Sequence, residues 1–280
     1  MRSATLRRGW ALLRVEGPVK TSGAVLRKFA RQFRRSRVLS ETAFVADVIF
    51  EDKLRPAGIM FDVGAHYGEV FAEYSQRGWQ VYAFEPDPKN RRRIDVAFGR
   101  LPNVHVDNRA VSDVSAQGAT FFSSSQSSGI SGLSAFDESH EQAGVVDTIT
   151  IADFVNAEGL DKIDYLKVDT EGYDLMVLRG FPWDHMRPSV VVCEFENRKT
   201  QPLGYNFHDI ADFLHTKGYS VIVSEWFPIS RYGADHRWRR YATYPCELVE
   251  ESGWGNLIAS TDQKLISRIL QKFEAETKRI

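Results

Sequence analysis

From residue 58 onward, short apolar runs alternate with amphipathic stretches, and this alternation organises the chain. The runs 58–63 (GIMFDV), 80–84 (QVYAF), 103–107 (NVHVD), 163–168 (IDYLKV) and 189–195 (SVVVCEF) are apolar at most positions and predict strands. Helical spacing between and after them predicts helices at 68–77, 88–99, 171–179 and 206–217. Strands apolar on nearly every residue are buried on both faces, and strands separated by helices pair in parallel. The expected fold class is therefore α/β: a Rossmann-like, doubly wound, mostly parallel sheet with helices on both faces. Upstream, Ser40 is placed to cap a helix over 40–54 whose Phe44, Val45, Val48 and Ile49 face inward. Val25, Leu26, Phe29 and Phe33 recur at helical spacing among Arg and Lys, which predicts a short basic amphipathic helix. Between 112 and 150 the rhythm breaks. FFSSSQSSGISGLS reads there as a short hairpin, and seven serines and two glycines within 123–134 mark a flexible loop, either a lid or plain surface.

Composition narrows the class. A chain of 280 residues fits one large domain with extensions: a basic helical arm over 1–40 and a Rossmann-like domain over 41–280, with core motifs in 58–200 and C-terminal elements in 201–280. Hydrophobic residues at 43% and charged residues at 26% exclude wholesale disorder. No apolar run approaches the ~20 residues of a membrane-spanning helix, and the apolar stretch at 10–13 is too short for a signal-peptide core. Two cysteines, Cys193 and Cys246, exclude a disulfide framework and a cysteine zinc cluster, so a cytoplasmic setting is expected. The net charge of -1 conceals an asymmetry: residues 1–37 hold eleven Lys/Arg against one acid, Glu16, so the arm carries +10 and the rest -11. Such an arm suits packing on the body, an anionic membrane surface or a nucleic acid.

Two segments carry the chemistry. The first is FDVGAHYG, where Asp62, Gly64, Ala65, His66, Tyr67 and Gly68 run from a strand into a helix. Glycines there let the backbone approach a ligand. Glu85, at the end of the next strand and 21 residues after Gly64, is placed to hold both hydroxyls of a ribose. His66 occupies the position where a dinucleotide turn needs its second glycine. Asp62 would repel phosphate but pair with an ammonium group. Together these residues favour S-adenosylmethionine, which carries an ammonium and a sulfonium but no phosphate, over NAD. The second segment, DYLKVDTEGYD, sets Asp169 and Glu171 at a strand's carboxyl end, where open α/β sheets bind ligands. The pair can share a cation, position a hydroxyl or act as a base, or one of them can merely cap the following helix. Glu194 and Glu196 lie on one side of the next strand end, either lining the same cleft or pairing with Arg198 or Lys199. His208, His215 and His236 lack a paired motif. The stretch 231–244 (RYGADHRWRRYATY) mixes Arg with aromatics and reads as loop packing, or as a surface that stacks on sugars or bases.

FDVGAHYG, YAFEPDP, NVHVDNRAVSD, DYLKVDTEGYDLMVLRG and VVCEFE, in that order over residues 58–200, resemble the FkbM-type methyltransferases. The resemblance implies a class I S-adenosylmethionine fold and O-methylation of a hydroxyl on a sugar, polyketide or other natural product. It implies that Asp62, Gly64, Ala65 and Gly68 form the cofactor loop, that Glu85 holds the ribose, and that Asp113 or its neighbours in RAVSD lie near the adenine. Asp169 and Glu171 would then face the methyl group, with Asp169 the first candidate for base or metal ligand and Glu171 and Glu194 in support. Many relatives have Glu where this chain has Asp174. A divalent cation on Asp169 and Glu171 is an open question. The expected partners are a small-molecule or glycan acceptor, free or lipid-linked, with the arm touching the inner face of an anionic membrane. The alternatives are an NAD-dependent oxidoreductase on the same sheet and a non-catalytic cofactor-binding protein. Nucleic-acid methylation is disfavoured, because no Asn-Pro-Pro-aromatic motif for flipped bases is present.

Overall fold

The computed structural model describes residues 40–51, 56–232 and 236–278. The basic arm and its predicted amphipathic helix lie outside the described residues. In chain order the elements are α1 (Glu41–Glu51), β1 (Ile59–Val63), α2 (Phe71–Gln76), β2 (Gln80–Phe84), α3 (Pro88–Phe98), β3 (Val104–Asp107), β4 (Ala110–Val111), β5 (Ala116–Ser124) and β6 (His140–Ile149). They continue with α4 (Ile151–Glu158), β7 (Tyr165–Val168), α5 (Asp174–Arg179), β8 (Val190–Glu196), α6 (Asn197–Thr200), α7 (Phe207–Thr216), β9 (Ser220–Trp226), β10 (Trp238–Thr243), β11 (Trp254–Ser260) and α8 (Gln263–Thr277).

Eight strands form one sheet in the order β10-β9-β11-β8-β7-β1-β2-β3. From β3 to β8 the pairings are parallel, and β11, β9 and β10 complete the sheet antiparallel. Alternation along each strand feeds two cores. On one face Phe61, Leu166, Val168, Val191 and Phe195 pack against Phe154 of α4, Leu175 and Leu178 of α5, and Ile210 and Leu214 of α7. On the other, Met60, Val81, Tyr165, Val190 and Val192 meet Val45 and Ile49 of α1, Phe71 and Tyr74 of α2, Ile94 of α3, and Ile269 and Phe273 of α8. This is the doubly wound architecture expected from the apolar runs. Both faces are covered, so even the strand residues of β8 are buried throughout.

Three expectations change. The region 112–150 is not a short hairpin: β5 and β6 run nine and ten residues, pair antiparallel, and form a second sheet in the order β4-β6-β5. The stretch 231–244 is not a loop, because Trp238–Thr243 is the edge strand β10, and its Arg240 pairs at 2.7 Å with the buried Glu225 of β9. The helix predicted over 68–77 begins only at Phe71, so Gly68 lies in the turn before it. Among the described residues no helix is long and apolar enough to cross a membrane.

Candidate active site at the carboxyl edge of the sheet

The glycine turn follows β1 and is built by backbone geometry that few side chains tolerate. Gly64 has φ +77°, and a Cβ there would lie 1.8 Å from the carbonyl oxygen of Asp169. Gly68 has φ +81°, with Phe71 Cζ 2.5 Å from where its Cβ would be. His66 adopts φ +50°, the left-handed region that non-glycine residues rarely occupy. What holds it there is the acid at the end of β2. Glu85 Oε2 accepts from the His66 N–H at 2.7 Å and Oε1 from the Asp87 N–H at 2.9 Å. Ala65 is buried in the core, and its N–H and that of Gly64 both donate to the Phe84 carbonyl at 3.0 Å. The His66 ring stacks on Tyr67 at 3.5 Å, and burial holds it neutral, with its pKa lowered to about 4.

Asp62 is fully buried and is not among the residues that line the inner cavity. It stands opposite Lys167 in the parallel register of β1 and β7. The Lys167 ammonium sits 3.3 Å from Asp62 Oδ1 and 3.3 Å from Asp169 Oδ2, and it donates to the Gly64 carbonyl at 2.8 Å. The ammonium that Asp62 was expected to bind in a ligand is thus supplied by the chain itself. Asp62 and Lys167 act as a buried brace that ties the glycine turn to Asp169. A buried charge persists only when paired in this way.

Beyond the brace lies a second cationic centre. Lys199, on α6 directly after β8, is 2.7 Å from Glu171 Oε2, 2.7 Å from Glu194 Oε2 and 3.0 Å from Glu196 Oε2. Tyr232 donates its hydroxyl to Glu196 Oε1 at 3.0 Å. Neither Asp169 nor Glu171 caps a helix. Asp174 instead organises their turn, accepting from the Thr170 N–H at 2.9 Å and the Gly172 N–H at 3.1 Å. Glu171 adopts φ +59°, a second non-glycine residue in the left-handed region.

The acids differ in their protonation. Burial raises Asp169, but the Lys167 and Lys199 ammoniums outweigh it and hold its carboxyl below the ordinary range. Its side chain remains 37% exposed, so it is the member that faces the cavity. Burial pushes Glu171 up to about 8 against the pull of Lys199, and burial raises Glu194 as well. Burial also raises Glu85 to about 7, although two backbone N–H groups favour its charge.

A cavity of about 40 Å³ is lined by two of these acids, Glu85 and Asp169. Ala110, Val111 and Phe121 supply its apolar side and Tyr173 its floor, while Ser131, Gly132 and Leu133 roof it. A wider cleft of about 560 Å³ continues outward from the shared Pro86 and Phe121, past Arg91, Arg109 and the β6 residues 141–147. Asp113 is exposed and lies outside both lining sets; Ala110 and Val111, three and two residues earlier, line the inner cavity instead.

A family model of the FkbM methyltransferase domain matches residues 62–221, more than half of the chain. The chain belongs to the FkbM methyltransferase family. Among solved structures, precorrin-6y C5,15-methyltransferase of Geobacter metallireducens GS-15 is similar at 13% identity over 78% of this chain and 86% of its own, with a TM-score of 0.40. Magnesium protoporphyrin IX methyltransferase of Synechocystis PCC 6803, with bound SAH, is similar at 12% identity over 92% and 95%, with a TM-score of 0.39. A TehB-like SAM-dependent methyltransferase of Corynebacterium glutamicum is similar at 10% identity over 85% and 99%, with a TM-score of 0.37. No curated protein is detectably similar in sequence.

For this FkbM domain S-adenosylmethionine is the cofactor, and the residues fit it. The Gly64 turn is a cradle that a single Cβ would fill, and Glu85 presents a carboxylate at the strand end where a ribose is held. The oxidoreductase alternative falls with the family assignment. A divalent ion fits less well. Asp169, Glu171 and Glu194 bring oxygens within 4.8 Å of one another, but the Lys199 ammonium already contacts two of the three. Sequence reasoning missed Lys167 as a site residue, and it named Lys199 only as a structural partner of Glu194 and Glu196. The signal for Lys167 was a lone cation in the apolar strand YLKV, level with the lone acid of FDV.

Proposed function

We propose that this chain is an S-adenosylmethionine-dependent O-methyltransferase whose acceptor is a hydroxyl on a glycan or related natural product. The observation that carries the reading is Asp169: a carboxylate held ionised and partly exposed on the cavity wall beside the Gly64 turn, with Glu171 and Glu194 behind it. When bound, the cofactor supplies an already reactive methyl group, so alignment of the two reacting atoms is the main task left to the protein. Asp169 orients the acceptor hydroxyl by accepting its hydrogen bond. Asp169, ionised, is also the group placed to take the hydroxyl proton as the new ether bond forms, while burial raises Glu171 to about 8 and keeps it a mostly protonated neighbour near neutral pH. The Lys199 ammonium fixes Glu171 against Glu194 behind Asp169. Ser131, Gly132 and Leu133 over the cavity limit the water that would compete for the methyl group.

The +10 charge of residues 1–37 supports an acceptor presented at an anionic membrane surface, such as a lipid-linked glycan. The test is transfer of labelled methyl from S-adenosylmethionine to a panel of glycans, lipid-linked glycans and hydroxylated natural products. The product is expected to carry a methyl ether, with turnover lost in Asp169→Asn. A methyl found on carbon or nitrogen would overturn the O-specific reading, and near-normal turnover by Asp169→Asn would remove that residue from the chemistry.

A further inference from the structure

The serine-rich segment between β5 and β6 does not project into solvent; it lies across the carboxyl edge of the sheet. Its base is pinned, with Ser124 Oγ and Ser139 Oγ 2.6 Å apart. It also packs on itself: Phe122 and Gly132 exchange backbone hydrogen bonds at 2.9 and 3.0 Å, and His140 Nε2 lies 2.7 Å from the Ile130 carbonyl oxygen. Polar contacts tie it to the body. Ser128 Oγ is 2.5 Å from the Tyr67 hydroxyl and 3.2 Å from His66 Nε2, and Asn90 donates to the Ser128 carbonyl at 3.3 Å. Ser131 donates to Asp87 at 3.3 Å, and Arg198 to Asp137 at 2.9 Å. Ser128 is therefore the point of densest attachment, and all its partners belong to the glycine turn or to α3 beside Glu85.

Beneath this segment the inner cavity measures about 40 Å³, with Ser131, Gly132 and Leu133 opposite Gly64, Glu85 and Asp169. That volume suits little more than a water molecule, whereas a cofactor-sized ligand needs ~300 Å³ or more. The walls are strand ends and the braced glycine turn, held by the sheet itself. The roof's internal bonds, Phe122 with Gly132 and His140 with Ile130, can travel with it, whereas its ties to the body are the hydroxyls of Ser128 and Ser131, the Asn90 contact and the half-exposed Arg198–Asp137 pair, all of which water can replace. We propose that residues 125–139 form a strap that lifts to admit S-adenosylmethionine and closes over it, with the Ser128 latch on Tyr67 and His66 setting the opening rate. The inference rests on the cofactor occupying the cavity under residues 131–133. No covalent step is involved; the latch hydrogen bonds exchange for bonds to water and re-form on closure.

The test uses the full chain with S-adenosylhomocysteine as the probe. Association and dissociation rates are measured for the wild type, Ser128→Ala and Tyr67→Phe. Ser128→Ala is expected to raise both rates about tenfold, equivalent to ~1.4 kcal/mol in the latch, while the Kd changes less than about threefold. Tyr67→Phe is expected to shift both rates in the same direction, and it serves as the readout if Ser128→Ala fails to fold. Chymotrypsin cleavage at Leu133 or Phe136 is expected to be faster in the ligand-free variants and suppressed by the probe. Unchanged rates in both variants, with normal binding, would overturn the strap. Cleavage indifferent to the probe would do the same. Absence of any binding by the wild type is a distinct outcome, which overturns the cofactor reading and the strap together.

Discussion

Lys167→Met isolates the brace beneath the candidate site. Methionine keeps the length and apolar stem of the side chain, so packing is largely retained and the charge is what disappears. The wild-type ammonium contacts Asp62 and Asp169 at 3.3 Å each and the Gly64 carbonyl at 2.8 Å. Asp169 is partly exposed and can turn to water, so its lost partner costs little. Asp62 has no such option, and a buried carboxylate stripped of its partner costs about 3–5 kcal/mol. The lost hydrogen bond to the Gly64 carbonyl adds about 1 kcal/mol. At ~2–4 °C per kcal/mol for a chain of this size, the variant should melt on the order of 10 °C lower near neutral pH.

The pH dependence has a definite sign. Burial holds the Asp62 carboxyl above its ordinary range even though Lys167 pulls the other way, and loss of Lys167 raises it further. A carboxyl raised in the folded state stabilises the fold below its unfolded value of ~3.9, and that contribution is lost as pH rises through the folded value. The deficit of the variant should therefore shrink as pH is lowered from about 7.5 to about 5. Adding Asp62→Asn should restore more than half of it. Thermal unfolding followed by circular dichroism at several pH values reads all three statements. A variant melting within about 2 °C of wild type near neutral pH, or a deficit that widens toward acid, would refute the brace.

Two further outcomes follow from the turn and from Glu85. Gly64→Ala would force a Cβ to 1.8 Å from the Asp169 carbonyl at φ +77°, so calorimetry should show no S-adenosylhomocysteine binding, and the melting temperature should fall. Burial raises Glu85 to about 7, so if its carboxylate accepts from the ribose, as proposed, S-adenosylhomocysteine affinity should weaken as pH is lowered through that value. In Glu85→Gln the affinity should be weaker and flat with pH. A wild-type affinity that rises toward acid would reverse this assignment.

The parallel half of the sheet was legible because its strands are buried on both faces and read as unbroken apolar runs. Residues 80–84 are a strand with the predicted limits, and helix 88–99 differs from the observed α3 by one residue. The antiparallel half was not. β11, with the sequence WGNLIAS, carries Gly and Asn within the strand, and β10 (WRRYAT) carries two arginines at the sheet edge, where one of them pairs with Glu225. Neither shows the apolar run that marks a buried strand. The acids of the site could be named from their strand-end positions, but their roles could not. Asp62 looks like a ligand-binding carboxylate in sequence because nothing in FDVG reveals that Lys167, more than a hundred residues later, falls beside it in register. The serine loop was likewise visible as a loop, while its position over the cavity depends on contacts of Ser128 and Ser131 that only the fold supplies.

The central claim is that the cavity between Gly64, Glu85 and Asp169 is an S-adenosylmethionine site. Calorimetric titration of the full chain with S-adenosylhomocysteine, alongside NAD and the Glu85→Ala variant, tests it most directly. The account predicts saturable one-to-one binding of S-adenosylhomocysteine, none of NAD, and loss of binding in Glu85→Ala. Binding of NAD, or S-adenosylhomocysteine binding unaffected by Glu85→Ala, would contradict it.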